Sequence, residues 1–366
     1  MAADYMARAL ALARMALGHV SPNPAVGAVI VDGDVIMGEG YTQPPGSAHA
    51  EVVALEQARE GARGATMYVT LEPCAHFGRT PPCTRAIIAA GISEVRMAML
   101  DPNPLVSGRG QRELEEAGIK TYLGEREQEA RELNEAYLKF ITTGLPFVIA
   151  KFAMSLDGKI ATKSGDSKWI SGQEARRQVH SLRHIVDAIM VGVNTVLADD
   201  PQLTAREVEG GARRQPLRVI VDSYGRTPPQ AQALKGPGTT LVATTGALRP
   251  GRDGALKEVG AELLTLPEAE GMVDLAELMK ALGQRQIASV LVEGGGALLG
   301  SLFDLGLVDK VVAFIAPVII GGVGPATSIG GRGVEKVAQA LRLGRVRVER
   351  VGDDVMITGY PEKGAS

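Results

Sequence analysis

Three short pieces constrain the fold of this chain more than anything else in it: His49-Ala50-Glu51, Leu71-Glu72-Pro73-Cys74 and Pro82-Cys83. They hold both of the chain's cysteines, and they share one ion only if the fold brings three separate segments to one point. Patterning predicts how. His49 opens a helix running to about residue 59, and residues 65–71 form a strand that delivers Cys74 at its end. Cys83 then begins a helix over 84–90. Residues two apart do not share a face in mid-helix, so His49 and Glu51 converge only at a first turn. A helix N-terminus also favours a thiolate at Cys83.

One imidazole and two thiolates select zinc over magnesium or calcium, and three ligands leave the fourth tetrahedral position to water. Glu51 is then a non-ligand carboxylate placed to shuttle that water's proton. His-x-Glu followed by Pro-Cys and a second Cys is the arrangement of the zinc base deaminases, in which water attacks a ring carbon and ammonia leaves. Here the usual Pro-Cys-x-x-Cys is stretched by residues 75–82, which include His76. Two alternatives stay open on spacing alone. One is a closed structural site of His49, Cys74, His76 and Cys83, for which Glu51 would be superfluous. The other is a disulfide, which nothing else about the chain favours.

A length of 366 residues implies two domains. With 45% hydrophobic and 22% charged residues, the composition is that of a soluble globular protein. A formal charge of −3, with no Lys/Arg run interleaved with aromatics, argues against a nucleic-acid partner. The most apolar run, 311–320, is too short to span a membrane and is broken by Pro317. With no secretory pattern around Asp4 and Arg8, a cytoplasmic protein is expected.

The first half reads as an Asp4-capped helix, strands at 25–31 and 35–41 joined by Asp32-Gly33-Asp34, then alternating strands and helices ending in one long helix over 125–140. A mixed sheet with helices on both faces follows. The loop 142–146 marks a boundary, giving domains 1–144 and 145–366. The second half starts again with a strand at 147–154. Ser171 and Glu174 form a capping box for a helix reaching residue 185. Strands at 188–193, 218–222, 240–243, 261–266 and 289–293 make a second α/β sheet, closed by antiparallel strands near the end.

In that half, 289–293 runs into Gly294-Gly295-Gly296, where backbone N–H groups can cradle a phosphate. A tight glycine turn explains the same residues. Residues 194–201 follow a strand end, and Arg183 and Arg206 are candidate phosphate partners, although a solvated surface is the commoner fate of an arginine. Trp169 either packs beside a planar ring or fills core space. His180 and His184, four apart on one helix, are read as helix-surface residues.

With these motifs quoted, the whole chain resembles the bifunctional deaminase–reductase family of riboflavin biosynthesis. The resemblance rests on Pro22-Asn23-Pro24-Ala25-Val26-Gly27, His49-Ala50-Glu51, Tyr68-Val69-Thr70-Leu71-Glu72-Pro73-Cys74-Ala75-His76, Gly78-Arg79-Thr80-Pro81-Pro82-Cys83 and Asp101-Pro102-Asn103-Pro104. In the second half it rests on Ser155-Leu156-Asp157-Gly158-Lys159, Ser167-Lys168-Trp169-Ile170, residues 195–201 and Val292-Glu293-Gly294-Gly295-Gly296. The stretched cysteine spacing belongs to this family. The resemblance implies an α/β chain with a cytidine-deaminase-like N-terminal domain and a dihydrofolate-reductase-like C-terminal domain. It assigns His49, Cys74 and Cys83 to zinc and Glu51 to proton transfer. Asn23, His76, Arg79, Asp101 and Asn103 are implied to contact a phosphorylated pyrimidine. For the reductase it implies NADPH against Ala153, Trp169, Thr195, Asp199, Ser223 and the run Gly295, Gly296, Ala297, Leu298, Leu299, Gly300 and Ser301. Substrate contacts are implied at Ser167, Arg183, Leu203, Arg206 and Glu293, with Lys151, Asp199 and Glu293 as candidates for proton and charge roles. A homo-oligomer, dimer or tetramer, is the family expectation.

Overall fold

The computed structural model describes residues 4–78, 81–104, 106–206, 214–322 and 327–362. The chain divides into two compact units, Met1–Gly144 and Leu145–Ser366.

The first unit is built on a five-stranded sheet. Its strands are β1 (Gly27–Asp32), β2 (Val35–Tyr41), β3 (Thr66–Val69), β4 (Glu94–Met97) and β5 (Lys120–Leu123), in the order β2-β1-β3-β4-β5. The β2-β1-β3 portion is antiparallel and β3-β4-β5 is parallel, the mixed sheet expected from the pattern. Helices α1 (Tyr5–Arg14), α2 (Ala50–Ala58), α3 (Cys83–Ala90) and α4 (Arg109–Glu116) pack around it. Met6, Leu10, Val29, Ile30, Met67, Ile87 and Val95 form its core. Helix α2 lies directly on β2 because that strand presents glycines to it. A Cβ on Gly38 would sit 2.2 Å from the Ala54 carbonyl oxygen, and one on Gly40 would sit 2.3 Å from that of Ala50.

The long helix expected over 125–140 is instead two helices, α5 (Glu127–Leu133) and α6 (Glu135–Thr143). The break falls at Asn134, which is buried and leaves helical geometry at φ −109° and ψ 17°. Its side chain is committed elsewhere: Oδ1 accepts from the Ala25 N–H at 2.8 Å and Nδ2 donates to the Ala25 carbonyl at 3.0 Å. That tertiary pairing overrides the helical pattern.

The second unit holds β6 (Phe147–Ser155), α7 (Gln173–Ile185), β7 (Ala188–Gly192), α8 (Val193–Asp199), β8 (Leu217–Val221), β9 (Thr240–Thr244), α9 (Arg252–Glu258) and β10 (Glu262–Thr265). The small hairpin β11 (Glu268–Ala269) and β12 (Met272–Val273) follows. Then come α10 (Leu275–Gln284), β13 (Ser289–Glu293), α11 (Gly296–Asp304), β14 (Lys310–Ala316), β15 (Leu343–Val351) and β16 (Asp354–Pro361). The main sheet has nine strands in the order β10-β9-β8-β7-β13-β6-β14-β16-β15. It is parallel from β10 to β14 and antiparallel at the β16-β15 edge. The fully buried β9 and β13 carry the apolar centres, Leu241-Val242-Ala243 and Val290-Leu291-Val292, of strands covered on both faces.

Two sequence expectations are corrected here. Ser171 and Glu174 form no capping box, because α7 starts at Gln173 with Gly172 as its cap residue. The Gly172 N–H donates to Asp354 Oδ2 at 2.7 Å, so the chain's far end takes over the cap's role of anchoring this turn. His180 is buried rather than on the helix surface, and its Nδ1 accepts from the Arg206 N–H.

Candidate functional site

In the first unit, α2 delivers His49 as its cap residue and Glu51 in its first turn, the loop after β3 delivers Cys74, and α3 opens with Cys83. His49 Nδ1 lies 3.2 Å from Cys83 Sγ and 3.6 Å from Cys74 Sγ, and the three donor atoms lie within 4.8 Å of one another. A tetrahedral zinc with Zn–N of about 2.0 Å and Zn–S of about 2.3 Å requires N–S edges of about 3.5 Å. The donor set therefore fits zinc in both chemistry and spacing. Both cysteines are free thiols, so the disulfide alternative falls. Among the described residues the metal-ligating group contains His49, Cys74 and Cys83 without His76, so the closed four-ligand alternative falls as well. His76 Nδ1 is buried with no hydrogen-bond partner among the described residues, leaving it free to meet a ligand.

Electrostatics prepares these groups. A hydrogen bond shared with Cys83, and a second with His49, hold the Cys74 thiol well below its usual range despite burial. The bond to Cys74 raises the His49 imidazole against the cost of burial. Glu51 is 4% exposed, and burial, followed by the Cys74 charge, pushes its carboxyl up to about 7. A carboxyl near neutrality both takes and returns a proton efficiently.

Around this centre the structure gathers further residues of the quoted motifs. The buried Glu72 carboxylate accepts from the backbone N–H groups of Asp101 at 3.2 Å, Gly108 at 2.9 Å and Gln111 at 3.2 Å. It thereby ties the turn that carries Cys74 to the 101–111 segment. Asp101 is buried, and its Oδ1 accepts from the Asn103 N–H at 2.9 Å. Burial raises the Asp101 carboxyl, and the Asn103 and Tyr137 hydrogen bonds oppose it. Asn23 lies in the partly buried loop that Asn134 secures through Ala25. Arg79 lies outside the described residues. Glu72, Asn134 and Tyr137 carried no predicted role.

In the second unit, Ala153, Thr195, Ser223 and Glu293 to Gly295 lie at or just after the carboxyl ends of parallel strands, where α/β sheets collect ligands. Lys151 on β6 sits opposite Glu293 on β13 in the strand register. Glu293 is 8% exposed and takes a two-pronged ion pair from Arg183, with Nε to Oε1 at 2.6 Å and Nη2 to Oε2 at 2.9 Å. Burial alone would raise the Glu293 carboxyl, but Arg183, then Lys151 and His180, hold it below its usual value. Burial lowers the Lys151 ammonium, with Glu293 opposing. The fork of Arg183, expected to hold a phosphate, is thus engaged by Glu293, and its Nη1 donates to the Thr204 carbonyl at 3.1 Å. Arg206 is exposed and reaches Gln202.

Gly294 and Gly295 turn the chain from β13 into α11 at φ 85° and 82°, a region that disfavours any side chain. A Cβ on Gly295 would lie 3.3 Å from Thr195 Oγ1, and no side chain caps α11. A glycine cradle before an uncapped helix start, with Thr195 beside it, fits the pyrophosphate of a dinucleotide. Ala153 is partly buried near the end of β6, and Ser301 is exposed on α11, whereas Leu298, Leu299 and Gly300 are buried. Ser167 Oγ donates to Asp199 Oδ1 at 2.9 Å. Trp169 is 70% exposed with Arg176 4.7 Å over its ring, so it does not fill the core. Leu203 is buried, with a left-handed backbone at φ 51°. Ser223 is buried, and its Oγ accepts from the Val273 N–H.

The fold and site together define a zinc deaminase unit joined to a reductase unit. The model for the zinc-binding region of cytidine and deoxycytidylate deaminases matches residues 1–99, and the model for the RibD C-terminal domain matches residues 146–357. The chain belongs to the RibD family of riboflavin biosynthesis proteins. The Aquifex aeolicus riboflavin biosynthesis protein RibD is 45% identical over 354 residues, covering 97% of each chain. An Acinetobacter baumannii RibD structure superposes with a TM-score of 0.87 at 40% identity, covering 98% of both chains. A Thermotoga maritima structure, described as a diaminohydroxyphosphoribosylaminopyrimidine deaminase/5-amino-6-(5-phosphoribosylamino)uracil reductase, matches with a TM-score of 0.86 at 37% identity and the same coverage.

Proposed function

We propose that Met1–Gly144 is the deaminase and Leu145–Ser366 the reductase of this bifunctional enzyme of riboflavin biosynthesis. The observation that carries the deaminase assignment is the convergence of His49, Cys74 and Cys83 beside the buried Glu51. The substrate is 2,5-diamino-6-ribosylamino-4(3H)-pyrimidinone 5′-phosphate, supported by the Thermotoga maritima relative and by the family motifs.

His49, Cys74 and Cys83 would hold the zinc, which would supply an activated water. Glu51 takes a proton from the attacking group and returns one to the departing amine, so water enters, ammonia leaves and the 2-amino group becomes oxo. Asn23, His76, Asp101 and Asn103 orient the ring, and Arg79 belongs to the same motif. In the second unit, bound NADPH would supply the hydride that reduces ribose C1′. The sugar ring opens to an imine, and the added hydride and one proton leave a ribitylamino chain. Lys151, Asp199 and Glu293 are the residues proposed to place that proton and balance charge. Gly295 to Ser301, with Thr195, Ala153, Trp169 and Ser223, are proposed to hold the cofactor. Ser167, Leu203 and Arg206 are proposed to contact substrate, with Arg183 acting through Glu293. A cytoplasmic homo-oligomer completes the proposal on the strength of the family motifs.

Mass spectrometry of the pyrimidinone phosphate, incubated with zinc-loaded protein first without and then with NADPH, tests this reading. An amino-to-oxo change should appear without the cofactor and a two-hydrogen gain should follow its addition. No change with zinc bound would refute the deaminase assignment, and a first change alone would refute the reductase assignment.

A further inference from the structure

The matched deaminase zinc-binding region ends at residue 99, yet Asp101 and Asn103 lie beyond it, as does the helix that secures them. Asp101 is gripped from several sides. Its N–H donates to Glu72, its Oδ1 accepts from the Asn103 N–H, and the Tyr137 hydroxyl lies 3.0 Å from both of its carboxylate oxygens. Tyr137 sits on α6 and Asp101 in the loop after β4, and both are nearly fully buried. One turn earlier, Asn134 clamps the Ala25 backbone beside the Asn23 loop. Neighbouring positions of one helix start thus fasten two separate loops that carry pocket residues.

We propose that Tyr137 is the positioning residue for Asp101, orienting its carboxylate toward the pyrimidine, and that α6 is the element through which this enzyme shapes its pocket beyond the shared zinc centre. The proposal rests on the deaminase reading above. Burial and the Asp101 charge raise the Tyr137 phenol, so it remains a proton donor across the working pH range. The ionisable groups facing Asp101 are Glu72, His76 and Tyr137. Of these Tyr137 donates to the carboxylate itself, so its hydroxyl favours the charged form as well as the orientation.

The test is steady-state deamination of the pyrimidinone phosphate by the full chain as wild type, Tyr137→Phe, Asp101→Asn and the double variant. Tyr137→Phe should lower kcat/KM about tenfold and raise the Asp101 carboxyl, read by carbon-13 NMR of aspartate-labelled protein. Zinc content, and the NADPH-dependent rate on the deaminated compound, should be unchanged. In the Asp101→Asn background the same substitution should change nothing further. A fall in rate with an unmoved Asp101 carboxyl, or an equal fall in the Asp101→Asn background, overturns the proposal and leaves Tyr137 a packing residue. A wild-type enzyme that binds zinc without deaminating overturns the deaminase reading instead.

Discussion

Gly40→Ala should disable the zinc centre without touching it. Gly40 lies on β2 opposite Ala28, and α2 crosses it at its first turn. An added Cβ would lie 2.3 Å from the Ala50 carbonyl oxygen, 2.7 Å from Ala54 N and 2.8 Å from Val53 Cβ. Two of these are helix backbone atoms, so no side-chain rotation relieves the clash. Restoring ordinary contact needs about 1 Å of retreat by the helix start, and overpacking of this kind costs about 1–3 kcal/mol. Ala50 lies between His49 and Glu51. Metal sites tolerate about 0.2 Å in ligand distance, so a shift of that size takes His49 Nδ1 out of bonding range of an ion held by the two thiolates. Competition with a chromogenic chelator should show zinc affinity reduced by about tenfold or more. The first unit should unfold about 2–4 °C lower per kcal/mol lost, and deamination should fall with zinc occupancy. Gly254→Ala on α9, where an added Cβ meets nothing within 4 Å, is the control and should alter neither. A Gly40→Ala protein that binds zinc and deaminates like wild type would refute the reasoning.

Glu51→Gln keeps the side chain's shape and removes its proton exchange, so deamination should fall on the order of 10²- to 10⁴-fold with zinc stoichiometry retained, as read by metal analysis beside steady-state rates. Glu293→Ala strands the Arg183 guanidinium in a buried site, a loss of about 3–5 kcal/mol that denaturant unfolding of the second unit should register. The Asp157 carboxylate accepts from Ser155 Oγ and from the Ile320 and Gly321 N–H groups, which lower it from 3.8 to about 2. A depressed carboxyl stabilises the fold above its ordinary value and loses that effect as pH falls through the folded one. The thermal stability gap between wild type and Asp157→Asn should therefore be full above about pH 4 and close as pH falls toward 2; a gap independent of pH would contradict it.

The zinc centre was legible because each contributor sits at an element's end and announces itself locally. His49 precedes an apolar run, Cys74 follows a short strand, and Cys83 opens a helix. What decided between an open and a closed site was the placement of His76, and spacing could not supply that. Asn134 and Tyr137 escaped notice because their partners lie 109 and 36 residues away. Asn134 did leave one trace: an asparagine inside a helical pattern competes with the helix for backbone hydrogen bonds. The expected single helix over 125–140 failed at that residue.

The second unit shows the limit more sharply. Its candidate ligand end follows from the order of strands and glycines, since parallel strands place their carboxyl ends together whatever side chains they carry. Partner choice was another matter. A planar guanidinium matches carboxylate and phosphate equally well, so sequence chemistry alone left Arg183 as a phosphate partner. The fold puts Glu293, 110 residues away, within its fork. Lys151 stands across from that carboxylate on the adjacent strand, so one buried negative charge is shared between two cations. Any proton placed by Lys151 is therefore governed by a trio of charged groups, Arg183, Lys151 and Glu293, assembled from three elements, α7, β6 and β13. No local stretch of the chain contains it, and a substitution at Arg183 should disturb the lysine it never touches through the carboxylate between them.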